Sequence, residues 1–405
     1  MILAGMASSR SQGNVDKMPS VPLPVHPFPA RMAPELALDR LPDEPACVLD
    51  QMMGSGTIPV LAGTRGHAAI GYDLDPLALL IAEVWGRSLD GEKYVEAAEG
   101  VADKAQSSGE LELPTGDAET VAFIERWFDE VARQRLSALA FSIEGQDPAL
   151  KPALWCAFSR LIITKDVGAS LARDVSHSRP HKVRERTDFD PIANFVRSAR
   201  EVARRHATLD TQRPAEEKLL LDRVDARSLP LADNSIDMAM TSPPYLVAID
   251  YLRGHRMSLV WMGYTMDELR NLRGTTIGAE RARSDGDDHE ELISATLGGA
   301  APRRTQGVLR RYLYDLHAVL HETARVLKTG GSAVFVVADA TLFGLPVALG
   351  DVLDALARSV GLEQRERVER ELPADRRYLP PPNSKEKSTL KGRMRHEVCL
   401  GYVVP

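Results

Sequence analysis

Cysteine is scarce in this 405-residue chain: Cys47, Cys156 and Cys399 lie far apart and without paired spacing. That scarcity argues against a disulfide framework and a thiolate zinc site, and it suits a reducing cytoplasm. Long apolar runs are missing too. No stretch approaches the roughly 18 residues needed to span a bilayer, so no membrane association is expected. The opening Met1 to Ser20, small and polar, reads as a disordered lead-in. Nor is there an excess of positive charge. With 50 Lys and Arg against 57 Asp and Glu, the net charge of −7 argues against indiscriminate binding to nucleic acid. Internal repeats are absent.

What is present is apolar periodicity. A 44% hydrophobic content is ample for a buried core, and the length exceeds one typical domain, so two lobes are expected. The pattern predicts strands near 47–50, 68–73, 219–224, 235–240, 332–338, 361–368 and 397–403, and helices near 57–64, 76–88, 312–328 and 346–359. That alternation implies an α/β doubly wound sheet. Between about 90 and 218 the spacing becomes helical, as in Val121, Ile124, Trp127, Phe128, Val131 and Leu136, and reads as a helical insertion.

Two segments carry chemistry. Thr241-Ser242-Pro243-Pro244-Tyr245 follows a strand-like apolar run. Its prolines fix φ and remove donors, so the adjoining carbonyls are held outward in a rigid turn. Acceptors at the Ser242 hydroxyl and the Pro243 carbonyl can orient an exocyclic amine, while Tyr245 stacks on the ring that bears it, a contact worth roughly 1–3 kcal/mol per base. The plainer reading is an ordinary strand-ending turn. The second segment, Cys47 to Asp50 followed by Gln51-Met52-Met53-Gly54-Ser55-Gly56-Thr57, reads as a strand, a glycine turn and a helix start. Gly54 and Gly56 permit positive φ and close ligand approach, and the helix N-terminus offers unpaired N–H groups. The next strand-like run ends at Asp73, 17 residues after Gly56, where doubly wound folds place a carboxylate on the cofactor ribose. Asp75 competes for that role.

Together these residues resemble the amino-methylating family of S-adenosylmethionine-dependent DNA methyltransferases. Asp50 and Gly54-Ser55-Gly56-Thr57 match the family's cofactor loop, although Gln51 stands where a proline is usual, and Ser242-Pro243-Pro244-Tyr245 matches its catalytic loop. The likeness covers roughly 24–89 and 219–403, implying a catalytic domain of 21–89 and 219–405 interrupted by the insertion at 90–218. It implies a Rossmann-like, mostly parallel sheet closed by a C-terminal antiparallel hairpin, with S-adenosylmethionine as cofactor. His26 to Met32 looks like the segment that folds over the cofactor, with Phe28 in contact, and Asp225 like the acid beside the adenine. Asp50, Ser55, Thr57 and Thr241 complete the implied cofactor set. The run Arg325 to Gly331 is similar to the family's helix-to-strand turn.

The implied reaction is methyl transfer to the amino group of a base rotated out of double-stranded DNA, with Ser242, Pro243, Pro244 and Tyr245 at the chemistry and no metal. A serine leading the prolines favours cytosine-N4 over adenine-N6. Two basic stretches are candidates for the DNA track: Arg173 to His206, with nine Lys/Arg against five Asp/Glu, and Arg376 to His396, with seven against one. Arg179, Lys182 and Arg184 in the first and Arg376, Arg377 and Arg393 in the second are the expected contacts. Solvated surface is the alternative for each. Asp285 to Glu291, with His289 among its carboxylates, reads as a solvated loop instead of a metal site. A cognate restriction nuclease is an admissible partner. An RNA or protein amino-group methyltransferase and a non-catalytic nucleic-acid-binding module stay open.

Overall fold

The computed structural model describes residues 22–28, 31–164, 167–173, 181–209, 213–246, 251–278, 289–298, 301–371 and 396–405. The lead-in 1–20 lies outside them, as do Arg179, Arg376, Arg377 and Arg393.

Seven strands form one sheet: β1 Cys47–Asp50, β2 Ala68–Tyr72, β3 Leu219–Asp222, β4 Ile236–Thr241, β5 Leu327–Ala338, β6 Glu363–Glu371 and β7 His396–Val403, in the spatial order β6-β7-β5-β4-β1-β2-β3. Strands β1 to β5 pair in parallel, and β7 alone runs against both its neighbours. The fold is thus the mostly parallel sheet with an antiparallel C-terminal hairpin expected from the sequence. Chain order reverses between β1 and β4. Such a switch point opens a crevice at the carboxyl ends of the strands, where doubly wound sheets bind ligands.

Side-chain alternation sorts the strands onto two covered faces. Leu49, Ala239, Phe335, Val337 and Leu400 face helices α10 Arg303–Val326 and α11 Leu349–Ser359. Val48, Met238, Met240, Val334 and Val336 face α1 Thr57–Thr64 and the short helix Pro34–Leu38. Helix α10 presents Leu309, Leu313, Leu316 and Leu320 along one stripe, all buried. Each such leucine is worth about 1.5–3 kcal/mol, so a charged replacement of Leu316 would dislodge the helix.

One expected boundary shifts. The helix anticipated over 312–328 begins at Arg303 and stops at Val326, and the glycine turn that follows is taken into β5. Gly330, at φ 77°, donates its N–H to Val404, so the turn pairs with the last strand.

The segment after α2 Pro76–Gly86 is helical: α3 Gly91–Ser107, α4 Ala118–Trp127, α5 Glu130–Glu144, α6 Lys151–Ile162 and α7 Pro191–His206. Four of these helices start at an aspartate, Asp90, Asp117, Asp129 or Asp190, whose carboxylate accepts a first-turn backbone N–H. They share one apolar cluster with Trp85 of α2, and with Trp261 just after α8 Tyr251–Leu259. The helical segment is therefore packed directly onto α8 and the residues just after it.

Candidate active site

The glycine loop after β1 is a tight cradle. Gly54 and Gly56 adopt φ of 52° and 84°, and a Cβ on Gly56 would stand 2.7 Å from the Ala82 Cβ. Gln51, where the resembled loop carries proline, is buried and donates from Nε2 to Thr323 Oγ1 of α10 at 2.7 Å. A side-chain tether thus anchors the turn that a rigid ring would otherwise fix. Ser55 Oγ and Thr57 Oγ1, at the start of α1, are buried without a hydrogen-bond partner among the described residues. Buried hydroxyls of this kind call for a polar occupant.

Asp73, at the end of β2, accepts from the Gly54 N–H at 2.8 Å and from the Asp75 N–H at 2.9 Å. Asp75 is committed elsewhere: it caps α2 through the Leu77 N–H and holds the His255 ring of α8 in a very short contact. Of the two candidate acids, Asp73 is therefore the one fastened to the glycine loop. Burial, with Asp75 nearby, pushes its pKa up to about 6. Asp50, fully enclosed, is pushed up by burial to about 7 despite hydrogen bonds from Thr241 and the Met52 N–H. Two carboxylates with weakened hold on their charge thus face the switch point.

The Thr-Ser-Pro-Pro-Tyr turn leaves β4 beside this loop. Thr241 Oγ1 donates to Asp50 Oδ1 at 2.7 Å, and Ser242 Oγ donates to the Val336 carbonyl of β5 at 2.9 Å. A hydroxyl has one proton, so the Ser242 oxygen presents lone pairs to any incoming N–H. The Tyr245 hydroxyl lies 3.4 Å from it. Pro243 is buried, while Pro244 and Tyr245 are half-buried.

A strap from the N-terminal side closes the arrangement. Phe28 lies against Gly54, close enough that a Cβ there would be 3.1 Å from the ring, and the His255 ring lies beside it with centroids 5.1 Å apart. Arg160 of α6 donates to the Val25 carbonyl at 2.8 Å and Arg205 of α7 to the Pro24 carbonyl at 3.1 Å. His26 is buried against Ser159, and burial together with Arg160 drives its pKa down to about 3, so the ring is neutral. Between the strap and the Pro-Pro turn is a pocket of about 240 Å³, lined by His26, Phe28, Ser242, Tyr245, Arg370 and Glu397 among others. None of Gly54, Asp50 and Asp73 borders it. Phe28 therefore lies between the glycine loop and this pocket, in contact with the first and lining the second.

The remaining expected residues are scattered. Asp225 sits after β3, its carboxylate gripped by Arg227, which also reaches Asp315 of α10. Lys182 is exposed and paired with Glu185. Much of the basic charge of α7 is matched internally, Arg200 to Glu99 and Arg204 and Arg205 to Glu201. His255, Arg370 and Glu397 went unnoticed in the sequence. Only the fold brings them to the site, for Arg370 and Glu397 are opposite partners across β6 and β7.

The donor set fits S-adenosylmethionine. Buried hydroxyls at a helix start suit a carboxylate, and a carboxylate at the end of β2 suits a vicinal diol. No family model matches the chain. A Type II methyltransferase of Kocuria varians, M.MvaI, is 23% identical over 408 residues, covering 89% of this chain and 85% of that protein. Among solved structures, a protein described as a DNA modification methylase of Thermus thermophilus, complexed with S-adenosyl-L-methionine, is 19% identical and covers 45% of this chain. Its TM-score is 0.23, and the chain spans about half, 53%, of its length. A SAM-dependent methyltransferase of Methanosarcina mazei, 9% identical with a TM-score of 0.35, is matched over 92% of this chain and 99% of its own. Among the described residues no helix is long and apolar enough to cross a membrane.

Proposed function

We propose that this chain, which resembles the amino-methylating, S-adenosylmethionine-dependent DNA methyltransferases, transfers a methyl group to the exocyclic amine of a base in double-stranded DNA, with cytosine-N4 as the target atom. The observation that carries this reading is the Thr241–Asp50 hydrogen bond, which fixes the catalytic turn beside the glycine cradle at the switch point, next to a pocket edged by Ser242 and Tyr245. The cofactor, S-adenosylmethionine, supplies when bound an activated methyl on a sulfonium.

The chain's own task is alignment, which is worth several kcal/mol of a barrier when the reacting atoms are held in line. Ser242, its proton committed to Val336, accepts one amine N–H, and the Pro243 carbonyl accepts the other, directing the nitrogen lone pair toward the cradle. The proton released from the amine passes to solvent. Tyr245 stacks on the extruded base and offsets part of the few kcal/mol that extrusion costs. Asp73 and Ser55 hold the cofactor, with Asp225 beside its adenine and Phe28 as the cover. Lys182 and Arg184 contribute to a phosphate track together with Arg179, Arg376, Arg377 and Arg393.

The test is expression in a methylation-deficient bacterial host followed by single-molecule sequencing of its DNA, with Tyr245→Ala as control. N4-methylcytosine at one motif, absent in the control, is the expected result. Adenine-N6 marks would keep the alignment mechanism and overturn the base, and unmodified DNA would reject a DNA substrate.

A further inference from the structure

The pocket beside Ser242 carries one feature that alignment of the amine does not use. Arg370, near the end of β6, and Glu397, at the start of β7, face each other in register, and the Arg370 Nε donates to Glu397 Oε1. Both line the pocket, with Ser242 and Tyr245 also in its wall. Glu397 is 6% exposed, yet it is a carboxylate in a sheet interior. Such a group is tolerated when it is paired, and here it spends its partner's Nε, leaving the outer fork of the guanidinium. Arg370 keeps 30% of its side chain accessible. Its register partner Glu397 in turn pairs with Ala338 at the carboxyl end of β5, two residues from the carbonyl that Ser242 holds. One end of the sheet thus sets a buried carboxylate, an oriented guanidinium and the catalytic serine around one space.

We propose that Arg370, oriented by Glu397, reads the ring edge of the target base and selects cytosine. This rests on the methyl-transfer reading above. Next to its amino group cytosine offers two acceptors in a row, N3 and O2, whereas adenine offers N1 followed by a C–H. A planar fork with two parallel N–H groups satisfies two adjacent acceptors and is left with one donor unmatched by adenine. An unmatched donor in an enclosed site discriminates more strongly than a lost methylene. Glu397 is a positioning residue: by occupying Nε it turns the Nη pair toward the pocket.

The experiment uses the full chain and a duplex bearing the motif that wild type methylates, with the target nucleotide as cytosine, as 3-deazacytosine, which lacks the N3 acceptor, or as adenine. The kcat/KM of wild type, Arg370→Ala, Arg370→Lys and Glu397→Gln is measured on each. In wild type, 3-deazacytosine should lose about 10- to 100-fold, the range for a hydrogen bond to a charged group. In Arg370→Ala the same change of base should lose less than about threefold, and Arg370→Lys, which cannot fork, should fall between. Glu397→Gln should keep cofactor affinity while narrowing the gap between cytosine and adenine. An analogue penalty equal in wild type and Arg370→Ala would overturn the inference, as would adenine methylated by wild type in preference to cytosine. Because each enzyme is its own reference, partial misfolding of a variant does not change the ratio. Activity of wild type on the unmodified duplex reads the proposed function separately, and its absence rejects that reading first.

Discussion

Thr241 gives its hydroxyl proton to Asp50 across 2.7 Å, joining two strand ends that are 191 residues apart in the chain. The bond ties the end of β1 to the end of β4, between which the strand order reverses. Thr241→Val preserves shape and removes the donor. Asp50 Oδ1 keeps the Met52 N–H, so the loss is that of one hydrogen bond, about 0.5–1.5 kcal/mol. The variant should therefore unfold at a lower denaturant midpoint and bind S-adenosylmethionine about tenfold more weakly, since Asp50 becomes harder to ionise. Chemical denaturation and calorimetric titration check the two effects, and an unchanged midpoint would show that the bond carries no load.

If Asp50 and Asp73 hold the cofactor as proposed, its binding should depend on pH. Their pKa values, about 7 and about 6, lie above the ordinary carboxylate value of 3.8. A raised carboxyl contributes stability that is fully present below the ordinary value and is lost as pH rises through the folded one. The ligand-free protein should accordingly lose stability between pH 4 and 7 on account of these two groups. A ligand bearing positive charge favours their ionised forms. Its binding should release protons, and its affinity should tighten from pH 5 to pH 8. Calorimetry in two buffers of different ionisation enthalpy counts those protons. Asp50→Asn should flatten the profile, and a wild-type affinity constant across this range would contradict the assignment.

The inner strands are legible because short apolar runs mark strands buried on both faces; β6, charged and mostly exposed, carries no such mark, and β5 begins at Leu327, ahead of the expected 332. The glycine loop and the Pro-Pro turn were legible because their chemistry is local: φ-permissive glycines in one, donor-free prolines in the other. His255 was not. A histidine inside a helix carries no mark of the aspartate 180 residues upstream that it meets. Arg370 and Glu397 were hidden for a related reason, since the register of a hairpin with a long connection cannot be counted from sequence. The start of α10 is hidden in the sequence because Arg303 to Arg311 is rich in charge, and its buried Thr305, Val308 and Leu309 are too few to outweigh that.

Gly56 and Gly66 form a natural control pair. Both hold left-handed φ, 84° and 85°, but a Cβ on Gly56 meets Ala82 at 2.7 Å while one on Gly66 meets nothing within 4 Å. The backbone term alone is roughly 1–2 kcal/mol, and overpacking adds about 1–3 kcal/mol. Gly66→Ala should therefore lower stability by only the first amount and leave cofactor binding intact. Gly56→Ala should lower it further and abolish binding, because α2 is pushed away from the loop. Equal destabilisation in the two variants would mean that the close approach to Ala82 does not constrain the cradle.

The strap offers a test of how the cofactor is retained. Arg160 and Arg205 hold its backbone from helices α6 and α7, and Phe28 lays its ring on Gly54. His26, with its pKa depressed to about 3, gives stability that is fully present above the ordinary histidine value of 6.5 and is lost progressively as pH falls from there to about 3. The strap should thus stay shut throughout pH 6–8, and its release has to be reached by substitution. Arg160→Ala frees one anchor and leaves the Val25 carbonyl without a donor, a loss of about 1–2 kcal/mol. If the strap opens as a unit, hydrogen exchange should accelerate across 22–28 while the sheet stays protected. The cofactor should dissociate several-fold faster in Arg160→Ala and faster still in Phe28→Ala, with turnover at saturating cofactor changed less than twofold in the arginine variant. Stopped-flow displacement of a fluorescent analogue measures those rates. Dissociation as slow as in wild type would show that the glycine cradle alone retains the cofactor, and that the anchoring of the strap by the helical segment serves stability only.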